Sequence, residues 1–387
     1  MAEVTFSVFH PRVKRESSQG YFASSKEDKM ARVRVAIAGV GNCASALIQG
    51  ITYYGKNKSD ESEVIGLSQY DIGGMTPSDI EVVAAFDVNE KKVGKDLSEA
   101  IFAKPNNTVN ITDVPKLGVK VQKAPPLDGI GKYLKPIVKI SQEPEVPSIS
   151  QAVKDSGAEI LVNYLPVGST RAVNFYAGEA IAAGVPFVNA MPVFIASDPG
   201  WQARFSDAGL PVAGDDVMSQ LGATVLHKTI VKLCVDRGVK VDETYQLNIG
   251  GDADFLNMLE ESRLVDKRIS KTSAVRAMSP YDVPTRIGPS DYVPFLDNDK
   301  ICYVWLKGRY FGNIPLTIDL KLHVIDAYDS AGVMVDAIRG TKVGLSRGVK
   351  GPLESISAYC FKHPPVQMPY NDAKQAFLEF VQGKRDR

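Results

Sequence analysis

The chain has 387 residues, of which 44% are apolar and 23% charged; these are ordinary globular values, and the length predicts about two to three domains. The 45 Lys and Arg residues balance the 45 Asp and Glu residues, so the formal net charge is zero. This balance argues against binding of nucleic acid or anionic lipid by the protein as a whole, and the lack of an apolar run of transmembrane length argues against a membrane span.

The first 29 residues contain no apolar stretch typical of a secretory signal. Met30 directly precedes the first strand-like run, so residues 1–29 are either a flexible N-terminal extension or lie before the true start of translation. In both cases we expect no catalytic residue there.

A strand, a glycine turn and a helix then follow in order. Residues 33–38 pass into a continuous apolar run, as in a buried parallel strand, and residues 46–51 begin a helix. Gly39 permits a tight turn, Gly41 lets the backbone approach a pyrophosphate, and Ala44 lets the helix pack on the strand. This order predicts a dinucleotide site at the helix N-terminus; the alternative is a purely structural turn.

The second strand, residues 81–87, ends in an acid. Asp87 would accept hydrogen bonds from the adenosine ribose and repel a 2′-phosphate, which favours NAD over NADP. Asp87 comes 46 residues after Gly41 (87 − 41) instead of the usual distance of about 20. Residues 53–78 are therefore interpreted as an insertion, for example a cover over the cofactor.

Strands and helices continue to alternate up to residue 216. Residues 159–163, 186–190 and 211–214 are strand-like, and residues 171–184 predict a helix that ends at Gly184. This repetition predicts a doubly wound parallel sheet of the Rossmann type, with ligands bound at the polar loops that follow the strands.

A segment of small and polar residues opens the second half, ahead of a helix predicted over residues 225–236. Such residues at a helix N-terminus can bind phosphate; the alternative is an ordinary N-cap by Ser219 or Thr224. The next predicted strand, residues 240–249, leads into a Gly-Gly turn flanked by acids and amides, which either line a site or simply form turns. The candidate phosphate residues are Ser219, Gly222, Ala223 and Thr224.

Strands without intervening helices follow. Residues 300–307 and 315–325 alternate as antiparallel strands do, which indicates a second, α+β domain. Lys267 and Lys271 stand four residues apart at the start of a predicted helix, where a shared face most often meets solvent.

The last elements are predicted less directly. Residues 329–339 predict an amphipathic helix capped by Asp329 or Ser330. Residues 358–365 predict a strand that is ended by prolines.

The cysteines are widely spaced and form no CxxC pair, and the four histidines are also scattered. This spacing predicts reduced thiols in a cytoplasmic enzyme and identifies no metal-ligand motif. The cysteines are Cys43, Cys234, Cys302 and Cys360.

Eight segments resemble the myo-inositol-1-phosphate synthase family in its compact prokaryotic form, from about residue 33 to about residue 380. Each is modest alone, but their shared order and spacing are specific. They are residues 39–45 (GVGNCAS), 163–169 (NYLPVGS), 188–199 (VNAMPVFIASDP), 214–216 (GDD), 250–258 (GGDADFLNM), 267–271 (KRISK), 329–330 (DS) and Lys362.

The resemblance implies conversion of D-glucose 6-phosphate to 1L-myo-inositol 1-phosphate, which is 1D-myo-inositol 3-phosphate, with bound NAD. Hydride leaves C5, the new ketone acidifies the proton at C6, the enolate attacks the C1 aldehyde, and hydride returns. Because no net oxidation occurs, the family's enzymes are isomerases.

The family's active-site lysines fall on Lys267, Lys271, Lys300 and Lys362. Ammonium groups would stabilise charge on the C5 and C1 oxygens, and crowding would lower the pKa of each lysine towards neutrality. By resemblance, Lys267 transfers the proton at the C5 oxygen and Lys300 stabilises the C1 alkoxide. Lys271 binds the phosphate, and Lys362 adds positive charge near the C5 oxygen.

Other roles are implied in the same way. Asp254 and Asp329 match catalytic acids, and Asp252 joins the candidate phosphate residues. The implied NAD contacts are Gly39, Gly41, Asn42, Cys43, Ala44, Asp87, Tyr164, Pro166, Ser169, Asn189, Asp216 and Asp329.

Two residues depart from the family's pattern. Asp252 stands where Asn is frequent, and Met218 stands where Lys is frequent. A carboxylate would repel the substrate phosphate unless a cation or a lysine intervened. A divalent cation near the nicotinamide or the substrate is therefore a further expectation, with its ligands unknown.

The predicted fold class is α/β. A Rossmann-type doubly wound parallel sheet (residues 30–217 and 326–387) would carry an inserted α+β domain for catalysis and tetramerisation (residues 218–325). The resemblance implies a homotetramer formed through the second sheet, whose exposed face would otherwise be apolar. Two other functions stay open: an NAD-dependent dehydrogenase of a sugar phosphate or polyol, which would release NADH, and a non-catalytic NAD-binding regulator, which would not depend on Lys267.

Overall fold

A computed structural model of the chain describes residues 32–56 and 65–387. The predicted extension, residues 1–29, and part of the predicted insertion lie outside the described residues. The strands of the described residues are β1 (Val33–Ala38), β2 (Ile80–Asp87), β3 (Val121–Lys123), β4 (Ile160–Asn163), β5 (Phe187–Asn189), β6 (Pro211–Gly214), β7 (Lys240–Gly250), β8 (Thr285–Tyr292), β9 (Asp299–Tyr310), β10 (Ile314–Ile325) and β11 (Gly351–Pro352).

The α-helices of the same residues lie mainly between these strands. They are α1 (Asn42–Lys56), α2 (Leu97–Ala100), α3 (Ile149–Ser156), α4 (Thr170–Ala183), α5 (Pro199–Asp207), α6 (Ala223–Asp236), α7 (Ala253–Asn257), α8 (Val265–Arg276), α9 (Asp326–Ser346), α10 (Glu354–Cys360) and α11 (Tyr370–Val381).

The first sheet has seven parallel strands in the order β11-β6-β5-β4-β1-β2-β3. The direction of winding reverses between β1 and β4. In open α/β sheets ligands bind at the carboxyl ends of the strands beside such a reversal. The predicted doubly wound parallel sheet is confirmed, and the ends of β1 and β4 are where a site is expected.

Apolar layers cover both faces of this sheet because successive side chains of a strand point in opposite directions. Val35 and Ile37 of β1 lie in one layer, together with Ile338 of α9. Ala36 and Ala38 lie in the other layer, which includes α4. The sheet is thus buried on both sides, as its apolar sequence predicted.

The second sheet has the order β10-β9-β7-β8. β9 pairs antiparallel with both β7 and β10, whereas β7 and β8 run parallel. The antiparallel pair predicted over residues 300–325 is confirmed, and β8 makes the sheet mixed. α6 and α8 pack against one of its faces around Val231, Val275 and Leu306.

Two helices, α1 and α9, begin three or more residues earlier than predicted. α1 begins at Asn42, directly after the glycine turn, and not near residue 46. α9 begins at Asp326, so Asp329 lies inside its first turn and neither Asp329 nor Ser330 is the cap. The residue before this helix, Ile325, has extended dihedral angles and no capping side-chain bond.

The strand predicted over residues 358–365 is wrong. Residues up to Cys360 belong to α10, and after it Phe361 forms only an isolated bridge to Val217. Most side chains of α10 are buried, and a short apolar run that is buried all round has the same appearance in a helix and in a strand.

The described end of the insertion, residues 65–78, packs on α9. The fully buried guanidinium of Arg339 donates hydrogen bonds to the carbonyl oxygens of Gln69, Tyr70 and Met75, at 2.6 to 3.0 Å. Among the described helices, none is both long and apolar enough to cross a membrane.

Candidate functional site

The chain turns sharply at Gly39, directly after β1. Gly39 has a φ of +94°, and a Cβ built there would lie 2.6 Å from the carbonyl oxygen of Tyr164 at the end of β4. Gly41 differs, because a Cβ built there would meet nothing within 4 Å. One glycine therefore permits the turn, and the other leaves space at the start of α1 where a pyrophosphate could approach.

The side chain of Asn42 ties this turn to a second loop. Its Oδ1 accepts hydrogen bonds from Asn107 N at 2.9 Å and from the Thr108 hydroxyl at 2.8 Å, and its Nδ2 donates to Asn107 Oδ1 at 2.9 Å. The amide thus anchors residues 107–108. Ala44 is buried in the apolar layer beneath, where a small residue lets α1 pack closely on the sheet.

Asp87 lies at the carboxyl end of β2, beside the same turn. Its carboxylate accepts hydrogen bonds from Val40 N at 2.9 Å and from the backbone N–H groups of the next two residues at 2.7 and 2.9 Å. The buried Lys92 Nζ lies 3.8 Å from it and donates to Val40 O at 2.7 Å and to Asn106 Oδ1 at 2.9 Å. Sequence reasoning missed Lys92 and Asn106, which no periodic pattern distinguishes from ordinary loop residues.

A cleft of about 1660 Å³, partly open to solvent, begins at this turn and reaches the second sheet. Residues 125–138 contribute much of its apolar wall, whereas residues 65–78 of the insertion are not among its lining residues. Within the described part of the chain, this wall is therefore formed by residues 125–138 and not by residues 65–78. The predicted site residues in its walls are Gly39, Gly41, Asn42, Cys43, Asp87, Tyr164, Pro166, Asp216, Ser219, Asp252, Asp254, Lys267, Lys271, Lys300 and Lys362.

All four predicted lysines meet at the far end of this cleft, although they come from α8, β9 and the segment after α10. Three of them are paired with carboxylates. The Nζ–Oδ distances are 2.8 Å for Lys267 and Asp254, 2.8 Å for Lys300 and Asp326, and 3.0 Å for Lys362 and Asp216.

Among these four lysines, Lys271 is the one that forms no ion pair with a residue in the described parts of the chain. Its side chain is buried, with 7% of the residue exposed. Burial, and then the positive charges of the three other lysines, lower the pKa of Lys271 to about 7. An unpaired ammonium of this kind is suited to bind an anion.

The three lysines that have a carboxylate partner differ in the direction of their pKa shift. Although burial opposes the change, Asp326 raises the pKa of Lys300, and Asp254 raises that of Lys267. Burial lowers the pKa of Lys362, with Asp216 in partial opposition. The expectation that crowding lowers the pKa of every lysine is therefore wrong for Lys267 and Lys300, whose carboxylates outweigh it.

Asp326 is a site residue that sequence reasoning missed. It is the first residue of α9 and lines the cleft, and it was overlooked because the helix was predicted to begin at Asp329. The end of a strand followed directly by an acid, at Ile325 and Asp326, is the signal that could have identified it.

Asp252 lines the cleft but is engaged by the protein. Its Oδ1 accepts hydrogen bonds from the N–H groups of Asp254 and Phe255, at 2.9 and 3.0 Å, and its Oδ2 accepts from Asn298 Nδ2 at 3.2 Å. Burial, followed by the charges of Asp254 and Asp326, raises the pKa of Asp252 to about 7. Because its side chain accepts hydrogen bonds from these two backbone N–H groups, Asp252 is the N-cap of the short helix α7.

The divalent cation gains no support from these residues. In the described residues, no group of three or more His, Cys, Asp or Glu side chains is placed to hold a metal ion. Met218, the second departure from the family's pattern, is buried.

The candidate phosphate segment is only partly at the cleft. Ser219 lines it, whereas Gly222 is the residue before α6, and Ala223 and Thr224 are buried in the first turn of that helix. Asp329 is not among the lining residues; its Oδ1 accepts from the N–H of residue 221 at 2.9 Å. Asp329 therefore supports this loop.

Some of the remaining predicted cofactor residues line the cleft, and others do not. The hydroxyl of Tyr164 is buried in the cleft wall with no hydrogen-bond partner in the described residues, and burial raises the pKa of the lining thiol Cys43 to about 12. Asn189 and Ser169 do not line the cleft. Asn189 is buried and donates to Asp215 Oδ1 at 2.7 Å, and Ser169 donates to the carbonyl oxygen of Pro166.

Comparison with known proteins agrees with the family resemblance of the sequence. A family model of myo-inositol-1-phosphate synthase matches residues 222–327. The chain is 51% identical over 358 residues to the inositol-3-phosphate synthase of Mycolicibacterium smegmatis, covering 91% of this chain and 98% of that protein. It is 52% identical over 354 residues to that of Mycobacterium tuberculosis, covering 91% and 96%. The solved structure of inositol-3-phosphate synthase from Caenorhabditis elegans shares the fold, with a TM-score of 0.76 over 92% of this chain and 86% of that one at 15% identity.

Proposed function

The chain belongs to the myo-inositol-1-phosphate synthase family, and on that premise we propose that its cleft converts D-glucose 6-phosphate to 1D-myo-inositol 3-phosphate with NAD. It is an enzyme of the inositol-3-phosphate synthase class. The observation that carries the proposal is one continuous cleft that joins the glycine turn to the four lysines.

The glycine-turn end of the cleft fits NAD. Gly41 and the first turn of α1 would hold the pyrophosphate, Asp87 would bind the adenosine ribose, and the unpartnered hydroxyl of Tyr164 offers a further contact. When bound, NAD would supply the hydride acceptor for oxidation at C5 and the hydride donor for the later reduction, with no net oxidation. Asp216 and Cys43 also line this cleft.

The lysine end fits a sugar phosphate. Lys300, held charged by Asp326, would stabilise the alkoxide that develops at the C1 oxygen. Lys267, paired with Asp254, would move the proton at the C5 oxygen.

The other two lysines would act on charge beside these reacting atoms. Lys271, which lacks an ion pair in the described part of the chain, would bind the phosphate together with Ser219. Lys362 would add positive charge near the C5 oxygen and the enolate, where Asp216 orients it. Because these ammonium groups are mostly shielded from water, their effect on developing charge is stronger than it would be at a surface.

Product analysis tests this proposal. The purified enzyme is incubated with glucose 6-phosphate and NAD, the product is identified by NMR, and absorbance at 340 nm is followed. We expect inositol phosphate without net NADH, and none from Lys267→Met. NADH released in proportion to substrate would instead identify a dehydrogenase, and product formed by the Lys267→Met variant would remove the assigned proton transfer.

The second sheet supports a proposed homotetramer. The turn between β9 and β10 carries Phe311, which is 93% exposed, and β10 begins with Ile314, which is 51% exposed. The outer face of the sheet carries Tyr245 and Tyr303. Apolar surface of this kind is typical of contacts between subunits, and a second copy of the chain would cover it. Light scattering on the purified protein should give the mass of four chains; a monomer would contradict this.

We further propose that the enzyme works in the cytoplasm and that its inserted catalytic domain spans residues 218–325. All four cysteines are free thiols, as in proteins of reducing compartments. β7 to β10 lie within the proposed insertion, and the chain returns to the first sheet at β11.

A further inference from the structure

Both oxygens of the Asp216 carboxylate are engaged by groups from separate parts of the chain. Oδ1 accepts a hydrogen bond from Lys362 Nζ at 3.0 Å, and Oδ2 accepts one from the Ser270 hydroxyl at 2.6 Å. Ser270 lies on α8 between Lys267 and Lys271, whereas Lys362 follows α10. The carboxylate therefore ties the helix that carries two lysines to the segment that carries another.

The hydroxyl of Ser270 is unusual for its position. Ser270 is fully buried in the interior of α8. A serine in a helix commonly turns its hydroxyl back to a carbonyl oxygen of its own helix, and alanine would favour the helix more. Here the hydroxyl is donated outward to Asp216, so its contribution lies in that contact and not in the stability of the helix.

The backbone of Asp216 is held independently of its side chain. Its φ is +61°, its N–H donates to Met191 O at 3.1 Å, and its carbonyl oxygen accepts from Lys362 N at 2.7 Å. With the backbone fixed in this way, the direction of the carboxylate depends on the two bonds to its oxygens. Removal of the Ser270 hydroxyl would leave one oxygen of a buried carboxylate without its donor.

We propose that Ser270 is a positioning residue for this reaction: its hydroxyl holds the Asp216 carboxylate turned towards Lys362. The proposal rests on the proposed function, because its catalytic consequence is expressed in the cyclisation of glucose 6-phosphate. Ser270 acts through Asp216 and is not among the residues that line the cleft.

A pH dependence follows from the charges that face Asp216. Lys267 and Lys271 face it from α8, and Lys362 and His363 face it from the segment after α10. Although burial opposes the change, Lys362 and Lys267, with the bonds from Lys362 and Ser270, hold the pKa of Asp216 below its ordinary value. Loss of one bond raises that pKa, so protonation on the acid side begins at a higher pH.

The test compares Ser270→Ala with Ser273→Ala. Ser273 lies on the same helix, and its hydroxyl contacts Ser270 O and His363 Nδ1 at 3.0 Å each, not Asp216. For Ser270→Ala we expect kcat to fall about tenfold with KM nearly unchanged, and the acid limb of the kcat profile to move up by about 0.5 to 1 pH unit. Ser273→Ala should leave that limb in place. An unmoved acid limb in Ser270→Ala, or an equal shift in both variants, would overturn the proposal.

A second readout does not need activity. A carboxylate whose folded pKa is depressed stabilises the fold above its unfolded pKa, and this stabilisation is lost as the pH falls through the folded value. The difference in unfolding midpoint between wild type and Ser270→Ala should therefore be largest near pH 7 and shrink towards pH 3. A difference that is constant with pH would count against an ionised Asp216 held by Ser270. If the wild-type enzyme formed no inositol phosphate, the proposed function would be overturned separately. The pH dependence of the difference in unfolding midpoint would still show whether Ser270 holds the Asp216 carboxylate.

Discussion

Lys300 Nζ lies 2.8 Å from Asp326 Oδ1, and the pairing of two strands brings the two residues together. Lys300 lies opposite Val324 in the register between β9 and β10, and Asp326 follows Val324 by two residues, at the first position of α9. The ion pair is thus built where a strand pair meets a helix start. This geometry makes Asp326 the acid that chiefly holds Lys300 charged, and Asp329 adds a smaller effect in the same direction.

The first prediction separates these two acids. Asp326→Asn removes the carboxylate that holds Lys300 charged, so we expect kcat for inositol phosphate formation to fall by about 10² to 10³. Asp329→Asn keeps an oxygen that can accept the N–H of residue 221, so its loss should be much smaller. Steady-state kinetics on both variants measures the difference. An equal loss of kcat in the two variants would support a catalytic role for Asp329.

The second prediction concerns the pH dependence of substrate binding. The pKa of Lys271 is about 7 in the folded protein, so its ammonium loses its proton as the pH rises through that value. If this lysine binds the phosphate, KM for glucose 6-phosphate should rise above pH 7, by up to about tenfold per pH unit. Lys271→Arg keeps a charged group and should flatten the rise between pH 7 and 9. Parallel KM profiles for the two proteins would argue against phosphate binding by Lys271.

The third prediction contrasts the two glycines of the turn. Gly39→Ala places a Cβ 2.6 Å from Tyr164 O at a positive φ, and should lower the free energy of unfolding by about 1–3 kcal/mol or more. Gly41→Ala meets no neighbour, so the fold should be retained while NADH affinity falls at least about tenfold. Urea unfolding and NADH fluorescence measure the two effects. Normal NADH binding by Gly41→Ala would contradict the proposed pyrophosphate position.

The fourth prediction tests Lys92, which the structure places at the glycine turn. Lys92→Met fills the same space but cannot donate to Val40 O or to Asn106 Oδ1. We expect NADH affinity to fall about tenfold and the free energy of unfolding to fall by about 1–3 kcal/mol, because Asn106 loses a buried partner. Lys95→Met, at an exposed lysine nearby, is the matched control. Equal NADH affinities in both variants would exclude Lys92 from the cofactor site.

The fold was largely predictable because its signals are local. The apolar run of β1, the glycines after it and the alternation of β9 and β10 each depend on a few consecutive residues. Predictions failed where burial removed the contrast between faces, as in α10, or where one residue decides a boundary, as at Asp326. Burial on all sides leaves no periodicity to distinguish a helix from a strand.

The candidate site was predictable as a set of residues but not as an arrangement. Resemblance placed Lys267, Lys271, Lys300 and Lys362 together, and all four line the cleft. The sequence did not indicate which lysine has a carboxylate partner, nor that Lys92 and Asn106 support the glycine turn. Those contacts join residues that are far apart in the chain.

The sequence by itself determined the doubly wound sheet and the position of the glycine turn, because strand periodicity and glycine at a sharp turn are properties of short segments. Its resemblance to a known family indicated the four lysines that line the cleft, because that resemblance depends on short ordered motifs. Only the tertiary structure decided that Asp326 pairs with Lys300, that Ser270 and Lys362 share Asp216, and that Lys271 has no such carboxylate in the described residues. The physical reason is distance. The charge state of each lysine depends on burial and on the nearest charged groups, which the packing of strands and helices brings together from distant parts of the chain.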